Sequence, residues 1–208
     1  MLVFLGFVLS DQGKFADSYV RDQLGQQRIT FATAERLTPE EKSWKPGSRC
    51  LIGHAGQLLE TGKQAECYAN YFIAFHVASG AERAGFPGET YATLGGIQAT
   101  LRTDIATATS MNQAAAAATA QKRLDDATAL RATAQTGETL RGLLLTSYGF
   151  SIFGDKATLA GAVCFIVAGL LALVAVAGFA HASRVGRPAK SAGGLPAFGP
   201  APAAVQQA

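Results

Sequence analysis

The chain has 208 residues, enough for one modest domain plus attachments, and only 16% of them are charged, against about 25% in an ordinary soluble domain. Hydrophobic residues make up 49%, and the missing charge is missing locally, from a C-terminal apolar run and the tail after it. Residues 10–156 carry 15 basic and 15 acidic side chains, so the net charge of +3 belongs to Arg184, Arg187 and Lys190; a neutral main domain offers no electrostatic footprint for phosphates, which disfavours nucleic-acid binding.

The chain opens on a nine-residue apolar run, MLVFLGFVL. As a helix it spans only about 14 Å, too short to cross a bilayer. It lacks the basic start and small-residue cleavage site of a signal peptide. Residues 1–9 therefore read as the remnant of a first transmembrane helix that begins upstream of Met1. The alternative is a short apolar patch that packs on the domain or dips into the interface.

Phe15 to Leu24 has helical spacing, with Phe15, Tyr19 and Leu24 on one side, and continues that helix outward. Arg28–Thr33 has a short strand-like alternation. Thr38-Pro39-Glu40-Glu41 is a helix start: Thr38 caps, Pro39 fits the first position and Glu41 completes a capping box. Lys45-Pro46-Gly47 ends that helix, and Arg49–Gly53 is a brief strand or loop. Gln64–Val77 is expected to be a helix with an apolar face of Tyr68, Tyr71, Phe72 and Phe75. Such a stripe is more often core than a cofactor site.

Ser79-Gly80 and Gly85–Gly88 mark a loop. Thr90–Gln135 then reads as one long Ala-rich helix or two stacked ones, with Leu94, Ile97, Leu101, Ile105, Ala108, Met111, Ala115 and Ala118 recurring every three or four residues. Gly137 is expected to break or bend it. Lys122, Arg123, Asp125 and Asp126 make a solvated helix face.

Gly142–Gly154 is uncharged, and within it Tyr148, Phe150 and Phe153 are expected at the membrane interface, where aromatic rings settle. From Ala157 to Ser183 no residue is charged if His181 is neutral. About 20 residues of helix cross a hydrocarbon core of roughly 30 Å, and a helix satisfies every backbone amide within it. Gly161, Gly169 and Gly178 make one side of this span small, a setting for close approach of another helix. Beyond it the tail is basic, then rich in Ala and Pro, and reads as disordered.

The expected fold is mainly α. Residues 1–9 are the clipped first span, 10–141 a small helical extracytoplasmic domain, 142–156 a juxtamembrane segment, 157–182 the transmembrane helix and 183–208 a cytoplasmic tail. Arg184, Arg187 and Lys190 set this orientation by the positive-inside rule. Cys50 and Cys67, 17 residues apart, pair as a disulfide in such a compartment; the alternative is two reduced thiols in a cytoplasmic domain.

Motifs for nucleotide, hydrolase or zinc chemistry are absent from the sequence, and no cofactor is expected. A non-haem iron site wants two His and a carboxylate; His54 and His76 with Glu60 or Glu66 are the only offer, without a diagnostic spacing.

The stretches TGKQAECYANYFIAFHV (61–77), GETYATLG (88–95) and GETLRGLLLTSYGFSIFG (137–154) resemble an actinobacterial family of uncharacterised membrane proteins. The resemblance covers roughly residues 10–175. It implies two transmembrane helices flanking an extracytoplasmic domain, and so a first span truncated in this sequence. Some members are automatically named aromatic ring-opening dioxygenase, but no iron-binding pattern here matches that name and no functional residue carries over. The leading expectation is a non-enzymatic accessory or scaffolding module at the outer face of the plasma membrane. Its partners would be the lipid bilayer and another membrane or envelope protein, or a second copy. A metal-dependent dioxygenase, or a lipid or small-ligand binder using the aromatic face at 68–75, are the alternatives.

Overall fold

The computed structural model describes residues 1–186. The chain divides into two compact units, Met1–Phe165 and Ile166–Ala208. Among the described residues every named element is helical. Of the tail expected to be disordered from residue 183, residues 183–185 are helical, and those from 187 on, with Arg187 and Lys190, lie outside the described residues.

Helix α1 (Leu2–Gln26) runs unbroken through the boundary expected at residue 9 and ends where Arg28 takes a left-handed φ of 53°. The strand expected at Arg28–Thr33 reduces to a single bridge, Thr30 to Leu58. Phe31 N donates to Gln57 O and Leu59 N to Ile29 O, but the chain turns away on both sides before a ladder can grow. Helix α2 (Pro39–Ser43) carries the expected capping box: Glu41 N donates to the Thr38 hydroxyl and Thr38 N to the Glu41 carboxylate. After a single 3-10 turn at Pro46–Ser48, Arg49–Gly53 is helix α3 and not a strand or loop. Five residues are too few to show a period, and here Leu51, 1% exposed, turns into the core.

The next helical segment is continuous in three parts: α4 (Gly62–Cys67), a π-helical stretch (Tyr68–Ile73) and α5 (Ala74–Arg83). The helix expected at 64–77 is therefore longer at both ends. Ser79-Gly80 lies inside it, because nothing tertiary forces a break there and Gly80 costs only about 1 kcal/mol against Ala. The loop falls at Gly85–Gly88, where both glycines have φ near 78°.

Helix α6 (Tyr91–Ser110) and the first part of α7 (Ala114–Val185) form an antiparallel hairpin, so the long Ala-rich segment is two helices. Asn112, at φ 56°, makes the turn. Leu94, Leu101, Ala127 and Leu130 close the seam with Ala81 and Phe86. Gln98, 5% exposed, is satisfied on both sides, its amide donating to the Thr128 hydroxyl and its oxygen accepting from Arg131. The expected periodic face stops at the turn: Met111 is 61% exposed, and Ala115 and Ala118 are exposed on α7.

Helix α7 has 72 residues, about 108 Å at 1.5 Å per residue. Gly137 does not break it. A Cβ there would meet the Val77 side chain at 2.5 Å, so this glycine serves close packing of α5 on α7. Nor is 142–156 a separate element; it is a continuous part of the same helix. The main core gathers Val20 and Leu24 of α1, Leu51, Leu59, Cys67, Ala69 and Ile73, and Leu144 of α7.

The second unit is described from Ile166 to Gly186. It is helical to Val185, with Ile166, Leu170, Leu173, Val176 and Phe179 each more than half exposed. Helix α7 is long and apolar enough to cross a membrane, and only 6% of its most apolar 18-residue window is buried.

Candidate functional site

Two features stand out as candidates for function: a close pairing of α1 with α7, and a disulfide-stapled cluster packed against the same stretch of α7.

The helix pair is built on small residues. Gly6, Gly13 and Ala16 of α1 are buried, as are Ser151, Gly154 and Gly161 of α7. A Cβ on Gly13 would overlap the Thr158 hydroxyl and lie 2.8 Å from the Gly154 carbonyl oxygen; one on Gly161 would lie 2.9 Å from the Gly6 carbonyl oxygen. The two backbones are thus nearly in contact, the approach that glycine permits and any side chain blocks. Phe7 closes one end of the seam edge-on to Phe165, with centroids 5.0 Å apart. Gly161 is the one glycine of the expected small side with such a neighbour, for Gly169 and Gly178 meet nothing within 4 Å. The neighbour of Gly161 is thus the N-terminal helix of the same chain, at Gly6 and Ser10.

Cys50 of α3 and Cys67 of α4 form a disulfide with a Cα–Cα distance of 6.0 Å, within the ordinary range of about 4.4–6.8 Å. The third cysteine, Cys164, is free. Immediately after Cys67 the helix widens to π, a local distortion often found at functional positions. Here a side chain answers it: Arg141 Nε donates to Ala69 O at 3.1 Å, the oxygen that also accepts the π-type bond from Ala74. Arg141 is held in turn by Glu138, at 2.7 Å. An Arg141→Met variant should therefore lose about 1.5–3 kcal/mol, the range for a hydrogen bond that involves a charged group. A Glu138→Gln variant, which leaves the arginine in place, should lose less than half as much. Thermal unfolding of the two proteins side by side checks this, and equal shifts would refute the role of Arg141 at the π segment.

The aromatic face expected at 68–75 is divided. Tyr68, Tyr71 and Phe72 pack against the core, and burial pushes the Tyr68 hydroxyl above its ordinary pKa, keeping it neutral. Phe75 turns the other way and meets Trp44 edge-on at 5.7 Å.

The two domain histidines are placed apart in their bonding. His54 Nδ1 is 3.2 Å from Gln57 Oε1. His76 Nε2 is 2.9 Å from Glu41 Oε1, a carboxylate 5% exposed whose other oxygen caps α2. Glu66 pairs with Lys63. No group of three or more His, Cys, Asp and Glu that could hold a metal ion occurs among the described residues. The iron set suggested by His54, His76, Glu60 and Glu66 is not assembled.

Of the three rings expected at an interface, Tyr148 points to the domain. Its hydroxyl accepts from Lys63 Nζ at 3.0 Å, and Gly62 leaves room for the backbone at Tyr148 and for Ser151. The bonds to Tyr148 and Glu66 raise the Lys63 pKa, so this exposed amine is a cation at every physiological pH. Phe150 is 39% and Phe153 76% exposed. Phe150 meets Tyr19 of α1 edge-on at 5.9 Å, and Tyr19 stacks on Phe15. This aromatic row across two helices was not legible from the sequence, because its members are 131 positions apart (150 − 19). The expected solvated face is present, with Lys122 and Asp126 paired 2.9 Å apart. Arg184 sits in the last turn of α7.

In comparisons with known proteins, no family model, no curated protein and no solved structure matches this chain.

Proposed function

We propose that this chain is an integral membrane protein acting as a non-enzymatic accessory or scaffolding module at the outer face of the plasma membrane. The observation that carries the reading is the exposure of the uncharged part of α7. Each fully exposed Leu, Ile or Phe on it forgoes about 1.5–3 kcal/mol of burial in water, a deficit that hydrocarbon removes. The α1–α7 pairing adds support, since glycine-mediated approach is a common way for helices to associate in lipid. Residues 1–9 then lie beside α7 within the bilayer. The disulfide favours an oxidising compartment for the domain, which leaves Arg184, Arg187 and Lys190 on the cytoplasmic side.

The partner is another membrane or envelope protein, or a second copy of the chain. Purification in mild detergent tests this. Co-purification of a stoichiometric membrane partner, or a stable dimer, is the expected result; a strict monomer without any companion would count against a scaffolding role.

One observation favours a second reading, a binder of a lipid or small apolar ligand. A groove of about 460 Å³ runs beside the aromatic face, lined by Tyr68, Phe72, Ile73, Val77 and Leu140. Native mass spectrometry that retains no small molecule would argue against it. For a metal-dependent ring-opening dioxygenase, the placement of His54 and His76 gives no support.

A further inference from the structure

A different groove, of about 440 Å³, lies between α1 and α7 on the face bearing the aromatic row. Its floor is core: Val20, Leu24 and Leu144, each 4% exposed or less. Its rim is formed by Tyr19, Ile29, Leu140, Leu143 and Phe150, with Leu143 63% exposed. No charged side chain lines it; the polar groups are amides and hydroxyls of Gln23, Gln27, Thr146 and Ser147. Such a surface suits a neutral, flexible hydrocarbon and offers nothing to an ionic headgroup.

Position decides which hydrocarbon. Both walls belong to helices whose apolar ends the preceding reading puts in the bilayer. On α1 the open face descends from Tyr19 through Phe15 to Val8 and Phe4, all at least 40% exposed. Asp11 and Asp22 lie on that same side of α1 at 100° per residue, so the charge-free path out of the groove runs along α7. On α7 it passes from Leu143 through Phe150 to Ala157, each seven residues from the last and so on one side at 100° per residue, with the exposed Phe153 beside them. Along α7 apolar surface thus continues from groove to anchor, with the aromatic row between them, where an interfacial belt sits.

We propose that this groove is a lipid site that takes an acyl chain of a phospholipid from the adjoining leaflet, drawn up along α7 past Phe150. The proposal rests on the membrane reading above, and its test separates the two.

The full chain is reconstituted in phosphatidylglycerol and phosphatidylcholine vesicles that contain a phospholipid with a photoactivatable diazirine near the end of one acyl chain. After illumination, labelled peptides are mapped by mass spectrometry. Labelling is expected both within 157–182 and at Leu24, Ile29, Leu140 and Leu143. In a Leu143→Asp variant, whose side chain is exposed and not needed for the core, the groove labels should fall by roughly tenfold, equivalent to about 1.4 kcal/mol of affinity. Labels within 157–182 should persist. A Leu143→Met variant should retain both sets. Labels confined to 157–182 would overturn the groove and leave the anchor intact. No label within 157–182 would overturn the membrane reading itself. Cross-links from the groove to a second copy, with no lipid adduct there, would assign it to protein contact and overturn the lipid site.

Discussion

A Cys50→Ser/Cys67→Ser protein should be less stable than the parent by about 3 kcal/mol, the loop-closure value for a bridge of this span. In a chain of this size that corresponds to a fall in melting temperature of roughly 6–12 °C. The bridge closes a 17-residue loop that contains two of the most buried side chains, Leu51 and Leu59. It also joins α3, only five residues long, to the start of the continuous segment from Gly62 to Arg83. A helix of five residues has no stability of its own; its place depends on Leu51 and on the bond to Cys67. Thermal unfolding in detergent, parent against double variant, and parent with and without reductant, should give matching shifts. An unchanged melting temperature would mean that packing alone holds this loop.

The second large effect is expected at Gly13. Leucine there meets backbone, the Gly154 carbonyl oxygen, together with the Thr158 hydroxyl. Neither can withdraw without separating α1 from α7. Overpacking of this kind costs about 1–3 kcal/mol or more, and here it also opens the seam toward Gly6 and Gly161. Gly6→Leu should cost less, because its nearest neighbour is the Phe165 ring, at 2.9 Å, which can turn. Gly149→Leu is the control, since no atom lies within 4 Å of its Cβ position. Melting temperatures of the three variants should fall in the order Gly149→Leu, Gly6→Leu, Gly13→Leu, with the last lowest. A Gly13→Leu protein as stable as the control would show that the close pairing of α1 and α7 does not contribute to folding.

These two predictions differ in how visible their causes are in the sequence. The disulfide was legible, because two cysteines in one short polar region have few alternatives. So were the Thr38 capping box, whose residues Thr38 and Glu41 are three apart, and the uncharged run from Ala157, where composition alone suffices. Gly13 and Gly154 were not legible. What a glycine does depends on the surface opposite it, and these two meet across a separation of about 140 positions. For the same reason Gly137 read as a break, although Val77 packs over it within an unbroken helix. The run Arg49–Gly53 is helical where a strand or loop was expected, because five residues cannot display a period and the burial of Leu51 decides the matter. Nothing in the sequence marks the π segment at Tyr68–Ile73; it becomes intelligible only with Arg141, 72 positions away, beside the Ala69 carbonyl.

The candidate surfaces divide the same way. Composition picks out Phe150 and Phe153, but the partner of Phe150 is Tyr19, which stacks on Phe15; both belong to α1 and become visible only when the helices pair. Tyr148 shares the composition and not the position: on a helix it lies 160° from Phe150 (by 2 residues, 200° at 100° each), and it serves Lys63 instead.

The central claim is that α7 carries the chain across a membrane with the helical domain outside. Cysteine accessibility tests it most directly. Asn112→Cys, at the exposed tip of the α6–α7 hairpin, and Ser183→Cys, near the end of α7, are each treated on intact cells with a membrane-impermeant maleimide, against the parent whose free thiol is Cys164. The account predicts labelling of Asn112→Cys on intact cells, and of Ser183→Cys only after permeabilisation. Both positions labelled from the same side, or the protein recovered in the soluble fraction, would contradict it.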